Sequence, residues 1–327
     1  MTKFRIFFII TILTAINYCS GSESVKNLVP DAEKIVLDEL KNPNISIRDN
    51  VIEVIASSQK IEMMPKVAAF LDDSAVRVRF TAAMAIGDMQ YSQSVSKLKK
   101  LLKDPDLNVA AAVCYALYRL GGGEIYLKSL EDYALVKDPI VQANVAMLLG
   151  KLKSQRSLPI LYKLKDNPTS SDSVTYNATE AIARIGDEKI YARIWTLLIS
   201  VYVDDRCMGV QAMGALGSEK GKNAILTMLD DDDPQVRLIA AGQLGELGDK
   251  SGQSVVLEYM NNPSQQVEKS VSERRNMLNV LAALAIGQID TEPLTAHLPK
   301  FLKNESPLVR LAASKSVFIL AKTAKQP

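Results

Sequence analysis

The sequence predicts an all-α protein, a right-handed α-solenoid of about eight to nine helix-pair repeats that form a single elongated domain over residues 30–327. Two observations lead to this fold class. Apolar residues recur at helical spacing in units of about 31 residues, and glycines or Asp-Pro and Asn-Pro steps separate the helices. No stretch shows the period of two that is typical of a strand.

The repeats can be aligned on one residue in the first turn of the first helix of each unit, here called position zero. Successive occupants are 31 to 33 residues apart, except for one interval of 42 residues between Arg237 and Asn279. The polar stretch 261–276 lies in that interval and is expected either to lengthen a helix or to form a loop. The nine occupants are Arg48, Arg79, Ala110, Gln142, Thr175, Arg206, Arg237, Asn279 and Arg310.

Two columns of this alignment are small or apolar in all nine units. The third residue after position zero is small or β-branched, as in Val51 and Ala313, and the seventh is larger, as in Ile55 and Val317. The residue one before position zero and the residue ten after it are also apolar in most units. Positions −1, 3, 7 and 10 are four, four and three residues apart, which places them on one face of an α-helix. This first helix, helix A, is therefore expected to bury that face.

Glycine is expected to end helix A in most units, because it readily adopts the left-handed conformation that terminates helices. A second apolar helix, helix B, follows, for example over residues 190–203. Residues 29–40 precede the first unit, and the last unit has a helix A at 308–324 but no helix B, so both ends are interpreted as caps. The glycines are Gly121, Gly150, Gly186, Gly217 and Gly248.

The repeated motif resembles that of the HEAT-repeat family, specifically the short HEAT-like repeats of phycobilin-lyase-type proteins. It joins D-P-x-x-x-V-R to A-A-x-A-L-G-x-I-G-D and is clearest at residues 73–89, 104–121 and 233–249. The resemblance covers roughly residues 30–324 and implies an α-solenoid. It does not imply one activity, because the family is functionally diverse and includes metal-dependent hydroxylases and enzymes that attach bilins.

Arginine occupies position zero in five of the nine units. A cation in the first turn of a helix opposes the helix dipole, so each of these arginines should have a specific partner. The HEAT-like resemblance implies a structural ladder in which an aspartate of an adjacent turn pairs with each arginine. The expected members are Arg48, Arg79, Arg206, Arg237 and Arg310, with Asp73, Asp104, Asp138 and Asp233 as available partners.

The composition argues against catalysis and against nucleic-acid binding. The formal net charge is +2, without the basic excess that nucleic-acid binding usually needs. One histidine and three cysteines are too few for most zinc or di-iron sites, so no metal, cofactor or catalytic residue is predicted. His297 is interpreted as a residue of a helix face. Cys114 and Cys207 are expected to be free thiols.

The N-terminus has the order of an export signal. Lys3 and Arg5 precede the apolar stretch 6–16, which is too short to span a bilayer. Cys19 and the polar residues after it resemble a bacterial lipoprotein signal, although Tyr18 stands where the family usually has a small residue. The resemblance implies a signal peptide at 1–18, a lipidated Cys19 and a polar tether at 19–29. Ordinary cleavage near residues 20–22 and an uncleaved anchor stay open.

These features predict a non-catalytic protein–protein interaction scaffold of the bacterial cell envelope. It would bind an unknown protein or peptide on a concave surface formed by helices B. A lipid anchor would hold it at the periplasmic or outer-membrane face, and a soluble periplasmic or secreted protein is the alternative. The alternative function is a lyase- or chaperone-like enzyme that acts on a partner protein. Neither nucleic acid nor metal is a predicted partner.

A cluster of aromatic residues is the predicted partner-binding surface. Eight of the 11 tyrosines, and the single tryptophan, lie between Tyr115 and Tyr202. The helix B predicted over residues 190–203 has two stripes. The aliphatic stripe is expected to pack against its own helix A and consists of Ile190, Ile194, Leu197 and Val201. The second stripe is largely aromatic and consists of Tyr191, Trp195, Leu198 and Tyr202. Exposed Tyr and Trp are common interface anchors, although these rings could instead fill gaps between repeats where the arginine ladder is interrupted. The candidate binding residues are Tyr162, Tyr191, Trp195 and Tyr202.

Overall fold

The computed structural model describes residues 23–262 and 272–323, and every regular element in these ranges is helical. The predicted all-α fold class is confirmed. Cys19 and the predicted signal peptide lie outside the described residues. In chain order the α-helices are α1 (Glu23–Lys26), α2 (Val29–Glu39), α3 (Ile45–Ser57), α4 (Met64–Ala69), α5 (Val76–Asp88), α6 (Val95–Leu101), α7 (Leu107–Arg119), α8 (Glu124–Tyr133), α9 (Pro139–Leu152), α10 (Leu158–Asp166), α11 (Asp172–Ile185), α12 (Tyr191–Leu198), α13 (Val203–Leu216), α14 (Glu219–Thr227), α15 (Pro234–Glu246), α16 (Gln253–Asn261), α17 (Ser272–Ile289), α18 (Glu292–Thr295), α19 (Leu298–Leu302) and α20 (Pro307–Thr323).

Contacts divide the chain into two compact units. One is Pro43–Ile194, and the other combines the residues up to Asn42 with those from Trp195 onward. The sequence predicts a single elongated domain, whereas the structure separates two units. The predicted bounds of the signal peptide and the tether stay predictions.

The two apolar columns of the alignment are buried wherever they occur. The helices A are α3, α5, α7, α9, α11, α13, α15, α17 and α20. In all nine, the third and the seventh residue after position zero are buried, and Val51 and Ile86 have no accessible surface. Within Pro43–Ile194, α11 packs against both α9 and α10, so each helix pair covers the apolar face of the next. This continuous stacking is what a repeat protein uses in place of a single globular core.

Gly150 has a different role from the one expected of it. It lies inside α9, and a Cβ atom there would be 2.7 Å from Cα of Ala181 in α11. A Cβ contact this short does not occur in real proteins, so Gly150 allows two helices A to approach closely. The left-handed residue that ends α9 is Lys153 (φ 54°), whereas Gly186 (φ 91°) ends α11 as expected.

The helix B predicted over residues 190–203 is shorter than expected. It ends at Leu198, and the next helix begins at Val203. The Ser200 hydroxyl donates to Asp205 Oδ2 (2.7 Å) and accepts from the main-chain N–H of Tyr202 (3.2 Å). A serine that offers these bonds competes with the helical hydrogen-bond pattern, which explains the turn.

The polar insertion lengthens a helix A, at least in part. Helix α17 begins at Ser272 and has 18 residues, compared with 13 in α15. Residues 263–271 of the insertion lie outside the described residues.

The first and last long helices of the described chain pack against each other. Helix α2 contacts α20, and both belong to the same unit. Ala32 and Val36 of α2 are fully buried, as are Ala313 and Val317 of α20. The interpretation of the two ends as separate caps is therefore wrong. Among the described residues, α2 packs on α20 as a helix B packs on its helix A.

An ion pair accompanies this contact. Arg310 Nη2 donates to Glu39 Oε1 (2.5 Å), and Arg310 Nη1 donates to the main-chain oxygens of Asn304 (2.8 Å) and Glu305 (2.9 Å). Asn42 Nδ2 donates to the other carboxylate oxygen, Oε2 of Glu39 (2.7 Å). A residue from the start of the chain thus provides the acidic partner of the last position-zero arginine.

We expect a coupling energy of about 1 kcal/mol between Glu39 and Arg310, because their side chains are only 10% and 25% exposed. A double-mutant cycle with Glu39→Gln and Arg310→Gln, read from chemical unfolding, measures it. The control cycle uses the exposed pair of Glu124 and Arg156, for which a smaller value is expected. A coupling energy near zero between Glu39 and Arg310 would show that the α2–α20 contact does not depend on this pair.

Candidate partner-binding surface

Each complete rung of the arginine ladder connects three segments of chain. Arg79 Nε and Nη2 donate to the two carboxylate oxygens of Asp104 (2.9 and 3.0 Å). Arg79 Nη1 donates to the main-chain oxygens of Asp73 (2.9 Å) and Ser74 (3.2 Å). The guanidinium therefore faces carbonyl groups of the preceding turn, which offset its unfavourable position at a helix N-terminus.

The acidic partner stands 25 residues after the arginine in three rungs. Asp73 accepts from Arg48, and Asp104 from Arg79, in line with the expected ladder. Asp231, rather than Asp233, accepts from Nε and Nη2 of Arg206 (2.7 and 2.9 Å).

Asp233 and Asp138 are helix caps. The Asp233 side chain accepts from the main-chain N–H of Gln235 (2.8 Å) at the start of α15, and it pairs with Arg274 (2.8 Å). Asp138 accepts from the N–H of Ile140 (2.8 Å) at the start of α9. Both aspartates accept hydrogen bonds from N–H groups that have no partner within the helix. Sequence spacing alone does not distinguish an aspartate that caps a helix from one that pairs with an arginine.

Two carboxylates of the ladder, Asp231 and Asp104, have lowered pKa values. Burial alone would raise the pKa of Asp231, but hydrogen bonds from Arg206 and from the main-chain N–H of Asp233 outweigh it and hold the pKa below its ordinary value. Asp104 behaves in the same way, since the bonds from Arg79 and from the N–H of Asp106 outweigh burial. Both carboxylates are therefore ionised at neutral pH.

The Arg206 rung also holds the turn between α12 and α13. Arg206 Nη1 donates to the main-chain oxygens of Ser200 (3.1 Å) and Val201 (3.4 Å). With the bonds of the Ser200 hydroxyl to Asp205 and to the N–H of Tyr202, the turn is fixed at both ends. The backbone of the turn is thereby held in place by hydrogen bonds.

That turn and the end of α12 expose a set of large apolar side chains. We refer to Trp195, Ile199, Val201 and Tyr202 as the exposed apolar cluster; their exposed fractions are 41%, 67%, 84% and 70%. All four belong to the same unit and lie within eight consecutive residues. Trp195 lies in α12, and Ile199 is the first residue after that helix ends.

Half of this cluster is predicted from the sequence. Trp195 and Tyr202 are among the predicted binding residues. Ile199 was not identified, and Val201 was assigned to the buried aliphatic stripe, which is wrong because its side chain is largely exposed. The stripe assignment assumed a helix through residue 203. Since α12 ends at Leu198, helical spacing does not describe the residues that follow.

The two other predicted binding residues lie in the unit Pro43–Ile194. Tyr162 is half-buried and donates from its hydroxyl to Asp187 Oδ2 (3.1 Å). Burial, and then the hydrogen bond to Asp187, raise the pKa of Tyr162 to about 12. Tyr191 is also half-buried. Tyr162 and Tyr191 therefore belong to a different unit from Trp195 and Tyr202 and are not counted in the exposed apolar cluster.

The cysteines have the character that the sequence predicts. Cys114 and Cys207 are free thiols and are buried. Burial raises the pKa of the Cys114 thiol to about 11, and that of Cys207 still further. Both are therefore protonated and weakly nucleophilic at neutral pH.

Among residues 23–262 and 272–323, no group of three or more His, Cys, Asp or Glu side chains has the arrangement of a metal site. Within the same residues, every helix is too short or too polar to cross a membrane.

The paired helices and the arginine ladder define an α-helical repeat protein. Models of the HEAT-repeat family match residues 33–117 and 64–139, and a single HEAT repeat is matched at residues 223–251. The chain is a HEAT-like repeat protein, and the resemblance drawn from the repeated motif is confirmed. Comparison with curated proteins gives no match.

Solved structures with a similar fold have low sequence identity to this chain. The complex of CpcE and CpcF of phycocyanin lyase from Nostoc sp. PCC7120 is 16% identical, with a TM-score of 0.45 over 83% of this chain and 99% of that chain. Human deoxyhypusine hydroxylase in complex with glycerol is 15% identical, with a TM-score of 0.37 over 92% of this chain and 98% of that chain. Kap121p is 14% identical, with a TM-score of 0.33 over 90% of this chain and 38% of that chain.

We expect acid to destabilise the ladder. A carboxylate whose pKa is lower in the folded state adds stability above its unfolded pKa of about 3.9 and loses it as the pH falls through the folded value. Arg206→Gln should therefore show a weaker loss of unfolding free energy below about pH 4 than the wild type. Arg237→Gln is the control, because no carboxylate of the described residues pairs with Arg237. Parallel curves for all three proteins would contradict the assignment.

The fluorescence of Trp195 reports directly on the exposed apolar cluster, because it is the single tryptophan. Its ring is 41% exposed, so the emission should be red-shifted and accessible to an aqueous quencher such as acrylamide. Trp195→Phe provides the background. A blue-shifted emission that the quencher does not reach would mean that the ring is buried.

Proposed function

We propose that the chain is a non-catalytic protein–protein interaction scaffold of the bacterial cell envelope, and that it binds a protein or peptide through the exposed apolar cluster. The observation that supports this proposal is the exposure of Trp195, Ile199, Val201 and Tyr202 at one turn. Large apolar side chains in contact with water are costly, and when several lie together they commonly mark a binding surface.

The hydrogen bonds of the turn favour binding by reducing its entropic cost. Arg206 and Ser200 hold the backbone that carries Val201 and Tyr202, so less freedom is lost when a partner covers them. Trp and Tyr also provide large contact areas with few rotatable bonds. An apolar or aromatic segment of a partner protein is the ligand that suits such a surface.

Affinity isolation from cell-envelope extracts tests the proposal, with the repeat domain as immobilised bait. Tyr202→Asp and Trp195→Asp place a charge in the cluster and should abolish capture of the partner. Ile140→Asp is the matched control, because Ile140 is a comparably exposed apolar residue (65%) in the other unit. A partner that all three variants capture equally would contradict binding at the cluster.

The envelope location is a proposal from the N-terminal sequence. Its support is the order of Lys3 and Arg5, the apolar stretch 6–16, Cys19 and a polar tether. We expect a fatty-acid probe to label the protein metabolically, and we expect the labelled protein to be found in the membrane fraction of the cell. Cys19→Ala should lose the label while Cys114 and Cys207 remain, which assigns lipidation to one residue. Unchanged labelling and membrane association in Cys19→Ala would overturn the lipoprotein assignment.

A further inference from the structure

The arginine ladder has one rung that the described residues leave open. Arg237 Nη1 donates to the main-chain oxygens of Asp231 (2.7 Å) and Asp232 (3.2 Å), as other position-zero arginines do to their preceding turns. In the described part of the chain, however, no carboxylate pairs with Arg237. In the complete rungs, Nε and Nη2 hold the carboxylate, so these are the two donors that remain on Arg237.

The cause is a substitution at the acidic position. The residue 25 positions after Arg237 is Asn262, where the rungs of Arg48, Arg79 and Arg206 have aspartate. Arg237 and Asn262 line the same crevice, which has a volume of about 40 Å³. The other residues that line it are Pro234, Leu238, Val255, Glu258 and Tyr259.

We propose that this open rung binds a carboxylate supplied from outside the described chain, by an acidic side chain or the C-terminus of a bound polypeptide. The neighbouring rung shows the geometry that such a ligand would adopt. There, two oxygens of Asp231 accept from Nε and Nη2 of Arg206 at 2.7 and 2.9 Å. A guanidinium fork matches a carboxylate in this bidentate way, which adds orientation to the charge attraction.

The charges around the crevice favour the binding of a singly charged anion over a doubly charged one. Asp231 and Asp232 are both paired with Arg206, so they do not neutralise Arg237. Glu258 lines the crevice and would repel a phosphate dianion more than a carboxylate. The proposal does not rest on the exposed apolar cluster or on the envelope location.

Acetate is the minimal probe, and the Nε–H resonances of the arginine side chains are the readout in a titration of the full repeat domain. We expect a saturable shift at Arg237, assigned by its absence in Arg237→Lys. Arg48, Arg79 and Arg206 are internal controls, because their forks already hold aspartate. A response at Arg237 no larger than at these three residues would overturn the proposal.

Asn262→Asp tests the same rung by supplying the missing carboxylate within the chain. It should abolish the acetate shift at Arg237 and raise the midpoint of chemical unfolding, because it completes the rung. This variant keeps Arg237 and its bonds to the preceding turn, so it does not depend on the folding of an arginine substitution. Acetate binding that persists unchanged in Asn262→Asp would contradict the assigned site.

Two peptides and one inorganic anion then distinguish the sources of the ligand. A peptide with a free C-terminus and no acidic side chain tests the terminal carboxylate, and an amidated peptide with one internal glutamate tests the side chain. Binding of either one that Asn262→Asp abolishes supports the site and identifies the source. Inorganic phosphate that binds more tightly than acetate would overturn the preference for a carboxylate.

Discussion

In the units that have it, the arginine at position zero is the polar interaction that connects one repeat to the next. One guanidinium ties the start of a helix A to the turn before it, through carbonyl oxygens, and to the turn 25 residues later, through a carboxylate. These hydrogen bonds are directional, whereas the apolar packing between small side chains is not. In the rungs of Arg48, Arg79 and Arg206 the carboxylate side chain is only 4–11% exposed, so loss of either partner leaves the other charge poorly hydrated.

The same interaction connects structure to binding. In the unit that contains Arg206, a single side chain orders the turn carrying Val201 and Tyr202, while its carboxylate partner Asp231 provides a carbonyl oxygen to Arg237. The exposed apolar cluster and the open rung are therefore linked through one aspartate. Both depart from the regular repeat. The cluster exposes apolar side chains that a regular unit would bury, and the open rung has a guanidinium fork that a regular unit would pair with a carboxylate.

Much of the fold was predictable because it is repeated. Nine copies of one pattern identify the buried columns, and Val51 or Ile86 could be assigned to the core from spacing alone. Features that occur once were not predictable in this way. The end of α12 depends on hydrogen bonds of Ser200, and the role of Gly150 depends on the distance to Ala181 in another repeat. The choice of Asp231 over Asp233 depends on which of two neighbouring carboxylates reaches the arginine, a distinction that sequence spacing does not make.

The contact between α2 and α20 has a consequence for the order of synthesis. Glu39 and Arg310 are separated by 271 positions along the chain, so at about 5–20 residues per second a ribosome needs roughly 15 to 55 seconds to go from one to the other. Throughout that interval Ala32 and Val36 have no native partner in α20, and other repeats can already stack on their neighbours. The unit of α20 is thus completed by a helix that is translated long before it, and a ribosome that stops before α20 leaves the apolar face of α2 uncovered.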